Sequence, residues 1–213
     1  MQNVQEKHFF KRLELSDEIT EKAVNALIDQ GYISEAEKTP EEIDKTQAID
    51  FWFDKKPVQF KVRCNGRTDM ELCMYQPFVM ADPDHVKGRD WLGLLNNTCV
   101  NHYFAFMDRD TQAIRQIIRV PSANLLPILS DLQSQWEITI TKRSGKFATY
   151  NYNFFTRDIV VKWKSLVANE RLLRTENGHE IWWKKNPNES FGKILAFLSP
   201  RVLDFKEVLI QKN

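Results

Sequence analysis

The clearest pattern along the chain is an alternation of apolar and polar residues over positions 48–65, AIDFWFDKKPVQFKVRCN. Side chains of a strand point alternately to its two faces, so this pattern predicts a β-hairpin with one apolar face. We expect a four-residue turn over 54–57, which sets Asp50 opposite Lys61. The apolar face is then Ile49, Phe51, Phe53, Val58, Phe60 and Val62, and the polar face is Asp50, Trp52, Gln59, Lys61 and Arg63.

The chain before the hairpin has a helical pattern. Apolar residues recur at helical spacing over 17–30, with Ser16 or Asp17 as the predicted N-cap and Gly31 as the C-terminal stop. The polar segment 33–47 contains a proline and is predicted to be a loop with at most one turn of helix.

The chain after the hairpin continues with sheet patterns. We predict a third strand over 70–79, a loop in DPDHVKGRDW, and a second hairpin over 102–120 that turns at DRDTQ. A helix is expected to start at Pro121 or Ser122 and to be disturbed by Pro127.

The pattern of apolar and polar residues changes after Trp136. Residues 137–213, which begin EITITKRSGKFATYNYNFF, are predicted to be rich in strands, so we divide the chain into a core over 1–136 and a C-terminal segment over 137–213. The net charge of +1 is uneven, because this segment holds 14 Lys and Arg against 8 Asp and Glu. A basic segment is typical of a surface that meets a polyanion, and it is equally typical of an ordinary solvated surface.

Composition narrows the class of protein. With 42% hydrophobic and 28% charged residues, a chain of 213 residues is typical of a soluble globular protein. Cys64, Cys73 and Cys99 have no CxxC spacing, which predicts reduced thiols. No signal-peptide pattern and no apolar run of about 20 residues occur, so we expect a cytoplasmic protein without a membrane partner.

The polar face of the hairpin has two interpretations. Asp50 and Lys61 can form a cross-strand ion pair on a solvated face, worth roughly 0.2–1 kcal/mol. They can also be part of a metal site that hydrolyses phosphodiesters, since a carboxylate, neutral oxygens and a nearby cation are what such a site needs. The Gln59 side chain and the Phe60 backbone carbonyl are the candidate neutral oxygens.

Asp50 followed by Gln59-Phe60-Lys61 on a hairpin, after a helix that ends ALIDQGY, resembles the PD-(D/E)xK nuclease superfamily. The similarity is to its QxK variant, as in Mrr-like restriction endonucleases and transposase-associated endonuclease subunits. It covers about residues 5–130. Two features depart from the usual pattern, because Gln59 replaces an acid and Ile49 stands where the family has proline.

The resemblance implies a fold and a chemistry. The fold is α/β: a helix, a three-stranded antiparallel meander, a helix and a further strand in a restriction-endonuclease-like α/β/α sandwich around a mixed sheet, here with a β-rich basic C-terminal extension. The activity is Mg²⁺- or Mn²⁺-dependent DNA cleavage, with Lys61, Asp50 and Gln59 as catalytic residues. The implied metal ligands are Asp50, Gln59, the Phe60 carbonyl and Glu21, with Glu18 as the alternative to Glu21.

DNA is the implied partner, with a homodimer or partner subunit possible and no small-molecule cofactor expected. The candidate DNA-binding residues are Arg63, Arg67, Lys142, Arg143, Lys184 and Lys185. The alternatives are a catalytically inactive module of the same fold that binds nucleic acid or a protein, and an interaction protein with no nucleic-acid contact. The scattered histidines form no HExxH motif, and no P-loop, GxSxG or dinucleotide fingerprint occurs.

Overall fold

The computed structural model describes residues 4–64, 69–75, 89–108, 110–142, 170–184 and 193–211. The helices are α1 (Val4–Asp29), α2 (Glu41–Gln47), α3 (Arg89–Leu95) and α4 (Ser122–Lys142), with a short 3-10 helix at Pro200–Val202. The strands are β1 (Ala36–Lys38), β2 (Phe51–Phe53), β3 (Lys56–Arg63), β4 (Met70–Tyr75), β5 (Asn101–Met107), β6 (Ile114–Pro121), β7 (Glu170–Arg174), β8 (Glu180–Lys184), β9 (Lys193–Leu198) and β10 (Glu207–Gln211).

The strands form two sheets. The larger one is mixed, in the order β1-β2-β3-β5-β6-β10, with β3 and β5 parallel and the other neighbours antiparallel. The smaller one is antiparallel, in the order β4-β9-β8-β7. Helices pack against a mixed sheet, which confirms the predicted α/β class.

Each face of the mixed sheet has its own core. On one face, α1 packs against the apolar side of the hairpin through Ile19, Ala23, Val24 and Leu27, which meet Phe51, Phe53, Val58 and Phe60. On the other face, α3, α4 and the second sheet cover β5 and β6. The polar residues of β3 therefore point into the layer that holds α3.

Helix α1 begins earlier than predicted and ends as predicted. The N-cap expected at Ser16 or Asp17 is wrong, because the helix runs unbroken from Val4. At its end, Gly31 takes the left-handed conformation with φ of 73°. Tyr32 N–H donates to the Leu27 carbonyl at 2.9 Å, and Gly31 N–H donates to the Ile28 carbonyl at 2.9 Å, which closes the helix with a Schellman motif.

The hairpin has a tighter turn than the four residues predicted. Phe53 is opposite Lys56 and Phe51 is opposite Val58, so only Asp54 and Lys55 form the turn, with φ of 49° and 64°. These are the values of a type I′ turn, whose twist matches that of paired strands. The register moves by two residues, which keeps every side chain on its predicted face but brings Asp50 beside Gln59 instead of Lys61.

The third strand of the meander is β1, not the predicted strand over 70–79. Residues 36–38 lie in the segment predicted as a loop, and they pair antiparallel with β2. The strand predicted over 70–79 exists as β4 but belongs to the second sheet. The sequence AEK of β1 has no apolar alternation, so local pattern could not find it.

The second hairpin and the start of the following helix are confirmed, while Pro127 does not interrupt that helix. β5 and β6 pair antiparallel, and α4 starts at Ser122. The strand pattern expected from residue 137 is wrong as far as residue 142, because α4 continues to Lys142 through Pro127. Helix propagation is cooperative, so a short alternating segment does not end a helix that is already formed.

Strands from both sides of residue 136 share both sheets. The predicted division between 136 and 137 falls inside α4, β10 pairs with β6, and β9 pairs with β4. None of the three cysteines forms a disulfide. Among the residues described above, no helix is long and apolar enough to cross a membrane.

Candidate active site

Gln59 is locked in place on the polar face of β3. Its side chain is fully buried, and its Nε2 donates to the Ala48 carbonyl at 2.6 Å. Ala48 follows α2 in a left-handed conformation with φ of 57°, and its carbonyl also accepts a contact from Cys99 Sγ at 3.3 Å. The strained backbone of Ala48 therefore turns a carbonyl toward the centre of the site.

Asp50 reaches the same place from the other arm. Its Oδ2 accepts a hydrogen bond from Phe60 N–H at 2.9 Å, between Gln59 and Lys61 in sequence. Because N–H and C=O of one strand residue point to the same edge, the Phe60 carbonyl lies on the Asp50 side of β3. Burial raises the pKa of Asp50, while Lys61 and the Phe60 N–H act in the opposite direction.

Lys61 is held by a residue from outside the hairpin. Its Nζ lies 2.6 Å from Oδ1 of Asp90, at the start of α3. Burial alone would lower the pKa of Lys61, but Asp90 and Asp50 outweigh it and raise that pKa above its ordinary value. Lys61 is therefore a charged ammonium at neutral pH.

Asp90 is deeply buried and engaged at both oxygens. Its Oδ2 accepts a hydrogen bond from Cys73 N–H on β4 at 2.6 Å. Burial acts to raise the pKa of Asp90, but Lys61 and the Cys73 N–H lower it below the ordinary value. The loop predicted for DPDHVKGRDW is wrong over its last residues, since α3 begins at Arg89.

His102 completes the buried polar group. It is the neighbour of Gln59 in the parallel β3–β5 pair, and its Nδ1 lies 2.8 Å from the Ser122 hydroxyl. Burial lowers the pKa of His102 to about 4, although Asp90 opposes this shift. His102 is therefore neutral at physiological pH.

The oxygens beside Asp50 are of the kind that Mg²⁺ and Mn²⁺ prefer. Gln59 Oε1 is buried, and no group in the described part of the chain donates a hydrogen bond to it. With the Asp50 carboxylate and the Phe60 carbonyl, it makes a donor set that fits a hard divalent ion. Within the same residues, no three His, Cys, Asp or Glu side chains group together as metal ligands.

Glu21 and Glu18 lie elsewhere. Both are exposed on α1 and line a surface recess of about 480 Å³ together with Lys22, Asn25, Ala26, Asp29 and Ile114. Helix α1 packs on the face of β3 opposite to Gln59 and Lys61. The structure does not bring either glutamate to the Asp50 group.

The candidate DNA-binding residues are in different surroundings. Arg63 is mostly buried, forms an ion pair with Glu71, and lies over the Phe197 ring at 5.8 Å. Lys184 is partly buried, with Nζ 4.4 Å from the centre of the Trp182 ring. Lys142 is the last residue of α4, while Arg67, Arg143 and Lys185 lie outside the described residues.

Sequence patterns could not find Asp90, His102 or Ala48. Asp90 and His102 come from elements separate from the hairpin, and they meet Lys61 and Gln59 only through the packing of α3 and β5 on β3. Ala48 lies just before the hairpin strand, but its contact with Gln59 depends on its left-handed backbone conformation, which no local pattern predicted. A carboxylate at the start of a short helix has no distinctive local signal.

Comparisons with known proteins leave the family open. No protein-family model matches the chain, and neither a curated protein nor a solved structure matches it.

Proposed function

We propose that the chain is a metal-dependent DNA endonuclease, or the nuclease subunit of a DNA-processing or defence system. The observation that carries this proposal is the hydrogen bond from Phe60 N–H to the Asp50 carboxylate. This hydrogen bond holds the Asp50 carboxylate of one hairpin arm against the backbone of the other arm, between Gln59 and Lys61. The Asp50 carboxylate, the Gln59 amide and the Lys61 ammonium thus belong to one end of the hairpin, which is the arrangement that the resemblance to PD-(D/E)xK nucleases implies.

The order of elements supports the finer fold that we propose, a restriction-endonuclease-like core. Helix α1, the antiparallel strands β1, β2 and β3, then α3 and β5, which is parallel to β3, occur in this order, with α2 between β1 and β2 and β4 between β3 and α3. Apart from these two insertions, the order is the helix, meander, helix and strand of the resembled family, with β1 in place of the strand expected over 70–79.

Each residue has a distinct role in the proposed reaction. Asp50, Gln59 Oε1 and the Phe60 carbonyl would hold the metal ion, which when bound lowers the pKa of a coordinated water and stabilises charge on the phosphate. Lys61 remains protonated, so it acts through its charge on the phosphate rather than as a base. Lys142, Lys184, Arg67, Arg143 and Lys185 would contact the DNA backbone.

The test is cleavage of supercoiled plasmid and of single-stranded DNA with Mg²⁺ and with Mn²⁺. Asp50→Asn is a better test variant than Lys61→Ala, because its amide oxygen can still accept the hydrogen bond from Phe60 N–H and the fold should be preserved. Lys61→Ala would leave Asp90 as an unpaired buried carboxylate, at a cost of about 3–5 kcal/mol. Asp108→Asn, in the turn between β5 and β6, is a matched change of a carboxylate outside the site.

We expect the wild type and the folded Asp108→Asn protein to nick DNA, and Asp50→Asn to lose at least about 10²-fold in rate. Absence of cleavage by the wild type with both metals and both DNAs would refute the proposal. Equal rates for wild type and Asp50→Asn would place the activity at another site.

A second candidate is a non-catalytic module that binds nucleic acid or a protein. Complete burial of Gln59 and the ion pair between Lys61 and Asp90 favour it, since both are also features of a structural polar cluster. Salt-sensitive DNA binding without cleavage would identify such a module. Absence of both would favour a protein partner.

A further inference from the structure

The Asp90 carboxylate forms an ion pair with the Lys61 ammonium and is oriented by a second contact. One oxygen lies 2.6 Å from the Lys61 ammonium, and the other accepts from the backbone N–H of Cys73 at 2.6 Å. The Asp90 side chain is only 3% exposed, against 28% for Lys61. The hydrogen bond from Cys73 N–H and the burial of Asp90 orient this carboxylate independently of Lys61.

The ammonium group of a lysine stays in one position only when an oriented anionic partner holds it there. Its four-carbon stem is flexible and its ammonium is a point charge that can adopt many positions. Asp50 is engaged by Phe60 N–H, whereas Asp90 makes the direct short contact with Nζ. Asp90 therefore decides where the Lys61 charge lies relative to Asp50.

Asp90 also adds a carboxylate to the group from outside the hairpin. It begins α3, whereas Asp50 and Lys61 belong to the two arms of the hairpin. A carboxylate attracts a cation placed near it.

We infer that Asp90 is the positioning residue of the proposed site, which holds the Lys61 ammonium beside Asp50 and supplies a second carboxylate from α3. The inference rests on the proposed function for its catalytic meaning, while the contact itself can be tested without cleavage. The ionisable groups that face Lys61 are Asp90, Asp50 and the Cys73 thiol, and those that face Asp90 are Lys61, Asp50 and His102.

The experiment is NMR of the lysine ammonium groups in wild type and in Asp90→Asn. The chain contains a matched control in Lys38, whose Nζ lies 3.1 Å from Asp17 in a pair that is 62% and 63% exposed. Lys61 is expected to be rigid in the wild type, with Lys38 mobile. Asp90→Asn should make Lys61 about as mobile as Lys38, while Asp17→Asn should leave the mobility of Lys61 unchanged.

Cleavage gives the second readout. Asp90→Asn is expected to reduce the cleavage rate by about 10²-fold with unchanged DNA affinity, because a misplaced catalytic charge affects the rate rather than binding. Equal mobility of Lys61 and Lys38 in the wild type would overturn the inference even where Asp90→Asn does not fold. A folded Asp90→Asn protein in which Lys61 is as rigid as in the wild type, and which cleaves at the wild-type rate, would also overturn it.

The two proposals fail in different ways. A rigid Lys61 that responds to Asp90→Asn in a protein that cuts no DNA supports the positioning contact and refutes the nuclease. Cleavage that depends on Asp50 but not on Asp90 supports the nuclease and overturns the role of Asp90.

Discussion

At the scale of single residues, the balance between burial and charged partners decides the charge state of the site. Lys61 stays charged because it has Asp90, while His102, whose Nδ1 lies by the Ser122 hydroxyl, is kept neutral. Which residues lie on one face of β3 could be predicted, since Gln59 and Lys61 follow from the period of two. Their charged partner could not, since Asp90 meets Lys61 only after α3 has packed.

His102 makes the stability of the protein sensitive to acid. The folded state resists protonation of His102 down to about pH 4, whereas the unfolded chain takes up a proton near pH 6.5. The unfolded state binds more protons between these values, so stability is present above pH 6.5 and is lost as pH falls. Between pH 7 and pH 5, the protonation of His102 in the unfolded chain should therefore lower the free energy of unfolding by about 2 kcal/mol.

Urea unfolding at the two pH values measures this effect against His102→Gln, which keeps a polar group for Ser122 and does not titrate. We expect the wild type to lose about 2 kcal/mol more than the variant between pH 7 and pH 5. His179, whose pKa is also lowered by burial, is present in both proteins and cancels. Equal losses would show that His102 is protonated in the folded state.

At the scale of elements, the β2–β3 turn sets the register that brings Asp50 to Gln59. Asp54 accepts hydrogen bonds at Oδ1 from Ser34 N–H at 2.8 Å, from the Ser34 hydroxyl at 2.6 Å and from Glu35 N–H at 3.1 Å. These contacts fix a two-residue turn without glycine. The faces of the hairpin were predictable from alternation, but its register was not, because Ser34 and Glu35 belong to the preceding loop.

Lys55→Gly should stabilise the protein by about 0.5–1 kcal/mol. Lys55 has φ of 64°, a conformation that glycine adopts without steric cost, and Asp-Gly is a preferred type I′ turn. Thermal or urea unfolding measures the change. Lys56→Gly, one residue later in β3, should destabilise by a similar amount, and stabilisation by both would mean that the turn conformation is not the cause.

At the scale of the whole molecule, the last strand returns to the first sheet. β10 pairs with β6, and Leu209 and Ile210 are buried in the core that also holds α1. The general α/β class follows from helical and alternating segments. The pairing of β10 with β6, which joins the two parts of the chain in one sheet, could not be predicted. The two strands are far apart in sequence and share no local pattern.

Removal of residues 203–213 should therefore abolish cooperative folding. It takes away the buried side chains of Leu203, Leu209 and Ile210, each worth about 1.5–3 kcal/mol, and exposes the edge of β6. Calorimetry and light scattering should show a broad transition and aggregation. Glu207→Gln, which breaks only the surface pair with Arg119, should cost at most about 1 kcal/mol, and a truncated protein that melts cooperatively would contradict this view of β10.

Calorimetric titration with Mn²⁺ tests whether Asp50 and Gln59 form a metal site. The wild type should bind one ion, and Asp50→Asn should bind it at least about tenfold more weakly while remaining folded, with Asp108→Asn as the control. Identical titrations for wild type and Asp50→Asn would contradict a metal site on the hairpin and leave Asp50, Gln59 and Lys61 as a structural cluster.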